Sequence, residues 1–174
     1  MSIAAIESSL NELLTSCMLS GMYHPGDSDY IIEILTINKM KIPEDFIFYL
    51  EKCVPTDDQA DTIGLLSHGD IAWYLNPSAD KTLKNPRAAQ VHFGFIPIRN
   101  QDGDLHCYSI SDNTVRLFYF GDCEPDLYWP PHGNSSIEIS ESALLSHSPC
   151  LGDISRFLTV LANGDPYLDI VVCR

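Results

Sequence analysis

The sequence predicts an α+β domain, a mixed, mainly antiparallel sheet with a central β-meander, flanked by helices. Two observations carry that expectation. The stretch from Phe93 to Phe120 holds three short apolar runs separated by two polar turns, and its strands have apolar side chains on both faces, as strands covered on both sides do. Before and after it stand segments with the three- and four-residue apolar spacing of helices, over 3–22, 43–53 and 154–162.

In chain order, Ile3, Ile6, Leu10, Leu13, Leu14, Cys17 and Met18 share one face of a first helix over 3–22, with Glu7, Ser8, Asn11, Glu12 and Thr15 on the solvent side. Ser2 supplies the N-cap, and Gly21 and His24-Pro25-Gly26 end it. The segment from Tyr30 to Thr36, behind Asp27 or Ser28 as caps, reads as a second helix, although its β-branched content also suits a strand. The third helix runs from Pro43 to Cys53. Proline at its start, Glu44 and Asp45 in its first turn and Lys52 in its last all match the helix dipole. Phe46, Ile47, Leu50, Cys53 and Val54 form its apolar stripe, and Pro55 stops it.

Thr56 to Asp61 reads as an acidic loop. Ile63–Leu66 and Ile71–Leu75 read as strands turned by Ser67-His68-Gly69-Asp70, with Trp73 and Leu75 beside Ile71 on one face. Asn76 to Pro86 reads as a long polar connection. Val91, Phe93 and Phe95 alternate as a strand does. The switch of apolar parity at Ile96 and Ile98, beside Pro97, predicts a bulge or strand end.

Within the meander, Asp102-Gly103 is the first turn and Ser111 to Asn113 the second. Leu105 and Cys107 point one way and His106, Tyr108 and Ile110 the other; Val115, Leu117 and Tyr119 oppose Phe118 and Phe120. Gly121 to Asn134 is turn-rich, and Ile137 to Leu145 mixes a short strand with a turn of helix. Asp153 caps a helix in which Ile154, Phe157, Leu158 and Leu161 share a face, and Gly164 closes it. Tyr167 to Val172 reads as a last edge strand.

With 174 residues, 45% of them apolar, the chain fits a single domain over 1–174 that can bury a sizeable core. Its formal charge of -14, from 24 acidic and 10 basic residues, repels nucleic acid and anionic membranes and suits a basic partner or a well-solvated surface. The six cysteines form no CxxC pair; Cys17, Cys53 and Cys107 fall on apolar faces as small hydrophobes. Glu7 and Glu12 interrupt what would be a signal peptide, and no apolar run reaches spanning length. These features predict a cytoplasmic protein with reduced thiols.

The order of motifs resembles that of the SUKH superfamily, which includes many bacterial immunity proteins and the fungal cell-wall synthesis regulators. The residues that carry the likeness are Ile42-Pro43-Glu44-Asp45-Phe46, running to Leu50; Phe95-Ile96-Pro97-Ile98; Gly103-Asp104-Leu105-His106-Cys107-Tyr108; and the late Phe157-Leu158. It covers roughly residues 28 to 162, so that 1–24 stands as an N-terminal helical extension. The resemblance implies a protein-binding fold with no shared catalytic residues, whose best-understood role is to neutralise a cognate toxin.

Asn100, Asp102 and Asp104 place oxygens at alternate positions, as a calcium loop begins, but the loop is short and lacks the closing glutamate, so a hairpin turn fits better. The histidines (His24, His68, His92, His106, His132 and His147) form no HxH, HxxxH or HExxH pattern. His106 reads as a core or sheet residue, and His147 with Cys150 is a weak nucleophile–base pair. No GxSxG, GxGxxG or P-loop occurs, and Asn134-Ser135-Ser136 fits a glycosylation sequon that a cytoplasmic chain would not use.

The acidic distribution is more informative. Between Asn100 and Ile154, Asp102, Asp104, Asp112, Asp122, Glu124, Asp126, Glu138, Glu141 and Asp153 face a single base, Arg116. Aromatic anchors in an acidic rim suit a basic protein partner, and a solvated acidic face with structural aromatics accounts for the same residues equally well. The candidate partner-binding residues are Asp102, Asp104, Tyr119, Asp122, Glu124, Asp126, Tyr128 and Trp129. The expectation is a binding protein, not an enzyme, with no cofactor, metal, nucleic acid or membrane: an immunity protein that neutralises a basic, for instance nuclease, toxin domain. The alternatives are an intracellular scaffold or regulator of the same fold, or a small hydrolase with an unrecognised site.

Overall fold

The computed structural model describes residues 2–76, 83–118 and 138–164. Among them are eight helices and four strands: α1 (Ile3–Ser16), α2 (Asp29–Ile37), α3 (Glu44–Lys52), α4 (Asp57–Ile63), α5 (His68–Leu75), α6 (Pro86–His92), β1 (Phe95–Gln101), β2 (Asp104–Ser109), β3 (Thr114–Phe118), α7 (Glu141–Ser146), β4 (Cys150–Gly152) and α8 (Ile154–Ala162). The fold is α+β, with an antiparallel sheet in the order β1-β2-β3-β4.

The meander forms where the alternation predicts it. Asp102 and Gly103 both have positive φ, the geometry of a two-residue turn whose twist matches that of paired strands. Pairing of β1 with β2 shifts register between Pro97 and Arg99, so the parity switch in the sequence marks a real bulge. The bulged Ile98 offers its carbonyl outward, and Leu66 N–H donates to it at 2.9 Å, which partly covers the β1 edge.

Helices cover both faces of the sheet. On one face Ile96, Ile98, Tyr108, Val115 and Leu117 join the main core, built with residues of α1, α2, α3, α5 and α8. Phe46 of α3 stacks on Tyr108 with ring centroids 4.1 Å apart, and Phe157 of α8 lies 5.4 Å from the His106 ring. Helix α1 packs along α8, joined by a hydrogen bond from Thr159 Oγ1 to Ser9 Oγ at 3.0 Å. On the other face Phe95, Leu105, Cys107 and Phe118 meet Ala89, Ile139 and Leu144 from the α6 and α7 side.

The structure departs from the sequence reading in several places. The first helix ends at Ser16, not 22: Met18 takes φ +57°, and Leu19 N–H closes back onto Leu14 C=O at 2.8 Å. This is a Schellman ending with a methionine where glycine is usual, so no glycine marked it. Thr56–Asp61 is not a loop, because α4 spans Asp57–Ile63; Asp57 and Asp58 sit in its first turn, where the dipole favours them.

The segment 71–75, read as a strand, is helical. Ser67 Oγ accepts from Asp70 N–H while the Asp70 carboxylate accepts from Ser67 N–H, a capping box that starts α5. Ile71 and Leu75, four apart, are buried, whereas Trp73 is 63% exposed rather than beside them. Residues 91 and 93 likewise belong to or follow α6, which Asn85 caps by accepting from Arg87 and Ala88 N–H. No strand forms over 138–140, and β4 was not foreseen.

Cys17, Cys53 and Cys107 are free thiols, the last two buried, but Cys150 is disulfide-bonded, which corrects the expectation of reduced thiols throughout. No helix among the described residues is long and apolar enough to cross a membrane. The readings placed on 121–134 and 167–172 lie outside the described residues.

Candidate functional site

Helix α4 ends at Gly64, in the left-handed conformation at φ +75°, and the chain turns there to run through Leu65 and Leu66 beside β1 before the capping box launches α5. The reversal leaves a cleft of about 580 Å³ between α4, α5 and the β1–β2 hairpin. Ala60 and Asp61 line it from α4, Asp70, Trp73 and Tyr74 from α5, and Arg99, Asn100, Asp102 and Gly103 from the hairpin; Gly64, Leu65 and Leu66 complete it.

Two hydrogen bonds fix the hairpin side. Asn100 Oδ1 accepts from Gly103 N–H at 3.0 Å, which tightens the turn, and Asn100 Nδ2 donates to the Tyr74 hydroxyl at 2.9 Å, which ties the turn to α5. The Asn100 oxygen is thereby used by the turn, as the hairpin reading requires and a calcium loop would not. Burial pushes the Tyr74 phenol up from its ordinary pKa; Arg87, whose guanidinium stands 5.9 Å over the ring, opposes that shift, as does the Asn100 hydrogen bond.

The cleft is acidic. Asp61, Asp70 and Asp102 are exposed along its walls, and Arg99 is the one base among the described lining residues. A shallower hollow of about 360 Å³, lined by Asp57, Asp61, Ser67, Gly69 and Asp70, continues the same negative surface around the start of α5. Trp73 stands in this setting with its ring edge-on to Tyr74 at 4.9 Å. Carboxylates beside an exposed indole suit a lysine or arginine side chain, which gains from both charge pairing and the ring face.

Of the sequence-predicted partner residues, the structure places Asp102 in the cleft and Asp104, half-buried, at the start of β2. Tyr119, Asp122, Glu124, Asp126, Tyr128 and Trp129 lie outside the described residues. Other members of the acidic set have structural partners. Asp112 pairs with Arg116 at 2.7 Å and accepts from Thr114, which together outweigh the cost of its partial burial and hold its carboxyl below the ordinary value. Asp153 caps α8 through Arg156 N–H at 2.9 Å.

Sequence reasoning missed Asp61, Asp70, Trp73 and Tyr74, all on helices read as loop or strand. The signal that could have found them is Ser67-x-x-Asp70, a helix start whose N-cap stands six residues before the indole.

The remaining candidates are accounted for by the fold. His106 is fully buried between the sheet and Phe157, and burial, aided by the Arg99 charge, lowers its pKa to about 3. The Cys150 sulfur is in a disulfide and His147 is exposed. Among the described residues no group of three or more His, Cys, Asp or Glu side chains is placed to hold a metal ion.

No family model, curated protein or solved structure matches the chain.

Proposed function

We propose that the protein is a protein-binding module whose acidic cleft receives basic side chains of its partner. The observation that carries this reading is Trp73, 63% exposed and lining the same cleft as Asp61, Asp70 and Asp102. An exposed indole beside carboxylates is useful at an interface, where tryptophan is a common anchor. The formal charge of -14 adds long-range attraction for a basic partner.

The specific role proposed is that of an immunity protein of the SUKH type. It would occlude a basic toxin domain, such as a nuclease, by presenting carboxylates where nucleic acid phosphates would sit. The order of motifs from Ile42-Pro43 to Phe157-Leu158 supports it. A cytoplasmic site of action belongs to the same proposal; the Cys150 disulfide opposes it, since such bonds persist mainly in oxidising compartments.

The test is binding kinetics against basic toxin domains encoded beside this gene, with inhibition of toxin activity as a second readout. Asp61→Lys with Asp102→Lys should slow association ~10-fold at low salt with little change in dissociation. Trp73→Ala should mainly speed dissociation, with a loss of about 2 kcal/mol or more if the indole is an anchor. Unchanged kinetics in both variants would make the cleft a solvated surface.

A further inference from the structure

We infer that residues 22–27, between α1 and α2, are an acid-released strap: His68 latches it against the end of α3, and protonation of that ring frees it. The strap is held at few points. Pro25 forms an isolated β-bridge with Pro55, and Gly26 N–H donates to Val54 C=O at 3.1 Å. Gln59 of α4 clips the other end, where its Nε2 donates to Met22 C=O at 2.9 Å and its Oε1 accepts from His24 N–H at 3.2 Å. The His68 ring closes the clasp from the first turn of α5, packed so tightly on Gly26 that an added Cβ would overlap Nδ1. Its Nε2 donates to Leu50 C=O at 3.1 Å, which joins α5 to α3. A carbonyl only accepts, so the neutral ring carries its proton on Nε2 and leaves Nδ1 bare. That Nδ1 is buried with no hydrogen-bond partner among the described residues.

Two features poise the strap to open. The first lies beneath it. The Tyr23 and Tyr49 hydroxyls are both buried without a hydrogen-bond partner among the described residues. Burial, and then the charge of the neighbouring Cys53 thiol, push both phenols above their ordinary pKa, so three polar groups share one interior spot. Unpaired hydroxyls weaken the closed form, and opening returns them to water. The second feature is the latch. Burial holds the His68 pKa below its ordinary value; it outweighs the Leu50 carbonyl, the Asp27 carboxylate of the strap, the Asp57 carboxylate of α4 and the Pro55 carbonyl, which all favour the cation. Asp70, on the same turn as His68, is committed to the Ser67 capping box, and His24 in the strap is exposed. When the strap lifts, the ring regains water and its ordinary affinity for a proton, near pH 6.5. The open form therefore binds the proton more tightly than the closed one. Below pH about 6.5 the open fraction rises, by at most ~10-fold per pH unit, until the closed form is itself protonated. The strap is tied to α4 and α5, which wall the acidic cleft, but its release requires no partner in that cleft.

The test is amide hydrogen exchange on the full chain from pH 7 to 5, expressed as protection relative to an unstructured peptide so that the intrinsic pH dependence cancels. The Gly26 amide should exchange faster than that of Leu117 in the sheet and should lose protection several-fold over this range. His68→Gln keeps an N–H for the Leu50 carbonyl but takes up no proton, so it should flatten the loss at Gly26. His24→Gln should leave the loss in place. Asp27→Asn is an independent variant at an exposed site, and it keeps the oxygen that accepts from Asp29 N–H. It removes a charge that favours the closed cation, so its loss of protection should continue to lower pH than in wild type. Melting curves at pH 7 check that each variant is folded. Constant protection at Gly26 between pH 7 and 5 would overturn the inference, as would an acid response that survives in His68→Gln or disappears in His24→Gln. So would an Asp27→Asn profile that levels off earlier than wild type, or exchange at Gly26 that matches Leu117 at every pH, which would mean global unfolding in place of a strap.

Discussion

Asn100 Nδ2 donates to the Tyr74 hydroxyl at 2.9 Å, and this one bond spans 26 residues to hold the meander's first turn against α5. The two residues belong to different layers of the fold, and both line the acidic cleft. Tyr74→Phe removes the acceptor and keeps the ring. Asn100 is exposed, so its amide can turn to water, and the stability cost should be about 0.5–1.5 kcal/mol. The informative readout is local: amide exchange at 101–104 should quicken more than exchange in β2 and β3. Uniform change across the sheet would mean that the bond does not position the turn.

Phe157 is 1% exposed, on the first turn of α8 and against His106. Phe157→Ala should destabilise the protein by about 3–5 kcal/mol, since it removes a ring from a close-packed interior and leaves a cavity. Denaturant melts measure this directly; a loss below 1 kcal/mol would mean that α8 does not close the main core.

His106 gives a pH dependence with a definite sign. Its folded pKa is lowered to about 3, while an unfolded chain has the ordinary value near 6.5. Between these values the unfolded state binds the proton and the folded state does not. Stability therefore falls as pH drops below about 6.5 and the contribution levels off near 3, with a slope of at most ~1.4 kcal/mol per pH unit. His106→Phe should flatten the slope between pH 6 and 4 relative to wild type, because carboxylates contribute equally to both proteins. Parallel pH profiles would show that His106 is protonated in the folded state.

Thiol chemistry tests the correction at Cys150. With six cysteines and Cys150 in a disulfide, denatured protein purified without reductant should show at most four reactive thiols, rising to six after reduction. Within the native fold Cys53 and Cys107 should react slowly, since both are buried and burial pushes both thiols well above the ordinary pKa. Six thiols in unreduced protein would restore the reading of a fully reduced chain.

The sequence by itself determined the meander, its Asp102-Gly103 turn, the bulge beside Pro97, and the helices at α2, α3 and α8. In each the signal is local: period-2 alternation, turn residues that tolerate positive φ, or caps and stripes within a few residues of one another. It also determined the negative charge and named Asp102, which lines the candidate cleft. Tertiary structure decided the rest. Ile71, Trp73 and Leu75 fit a strand as well as a helix until the capping bond between Ser67 and Asp70 selects the helix, which buries Ile71 and Leu75 and turns Trp73 outward. Met18 and Lys39 end helices in the left-handed region, where a sequence reader looks for glycine. The cleft itself joins Asp61, Trp73 and Asp102 from three separate elements. Such long-range juxtapositions arise from how layers pack on the sheet, which no short window of sequence contains.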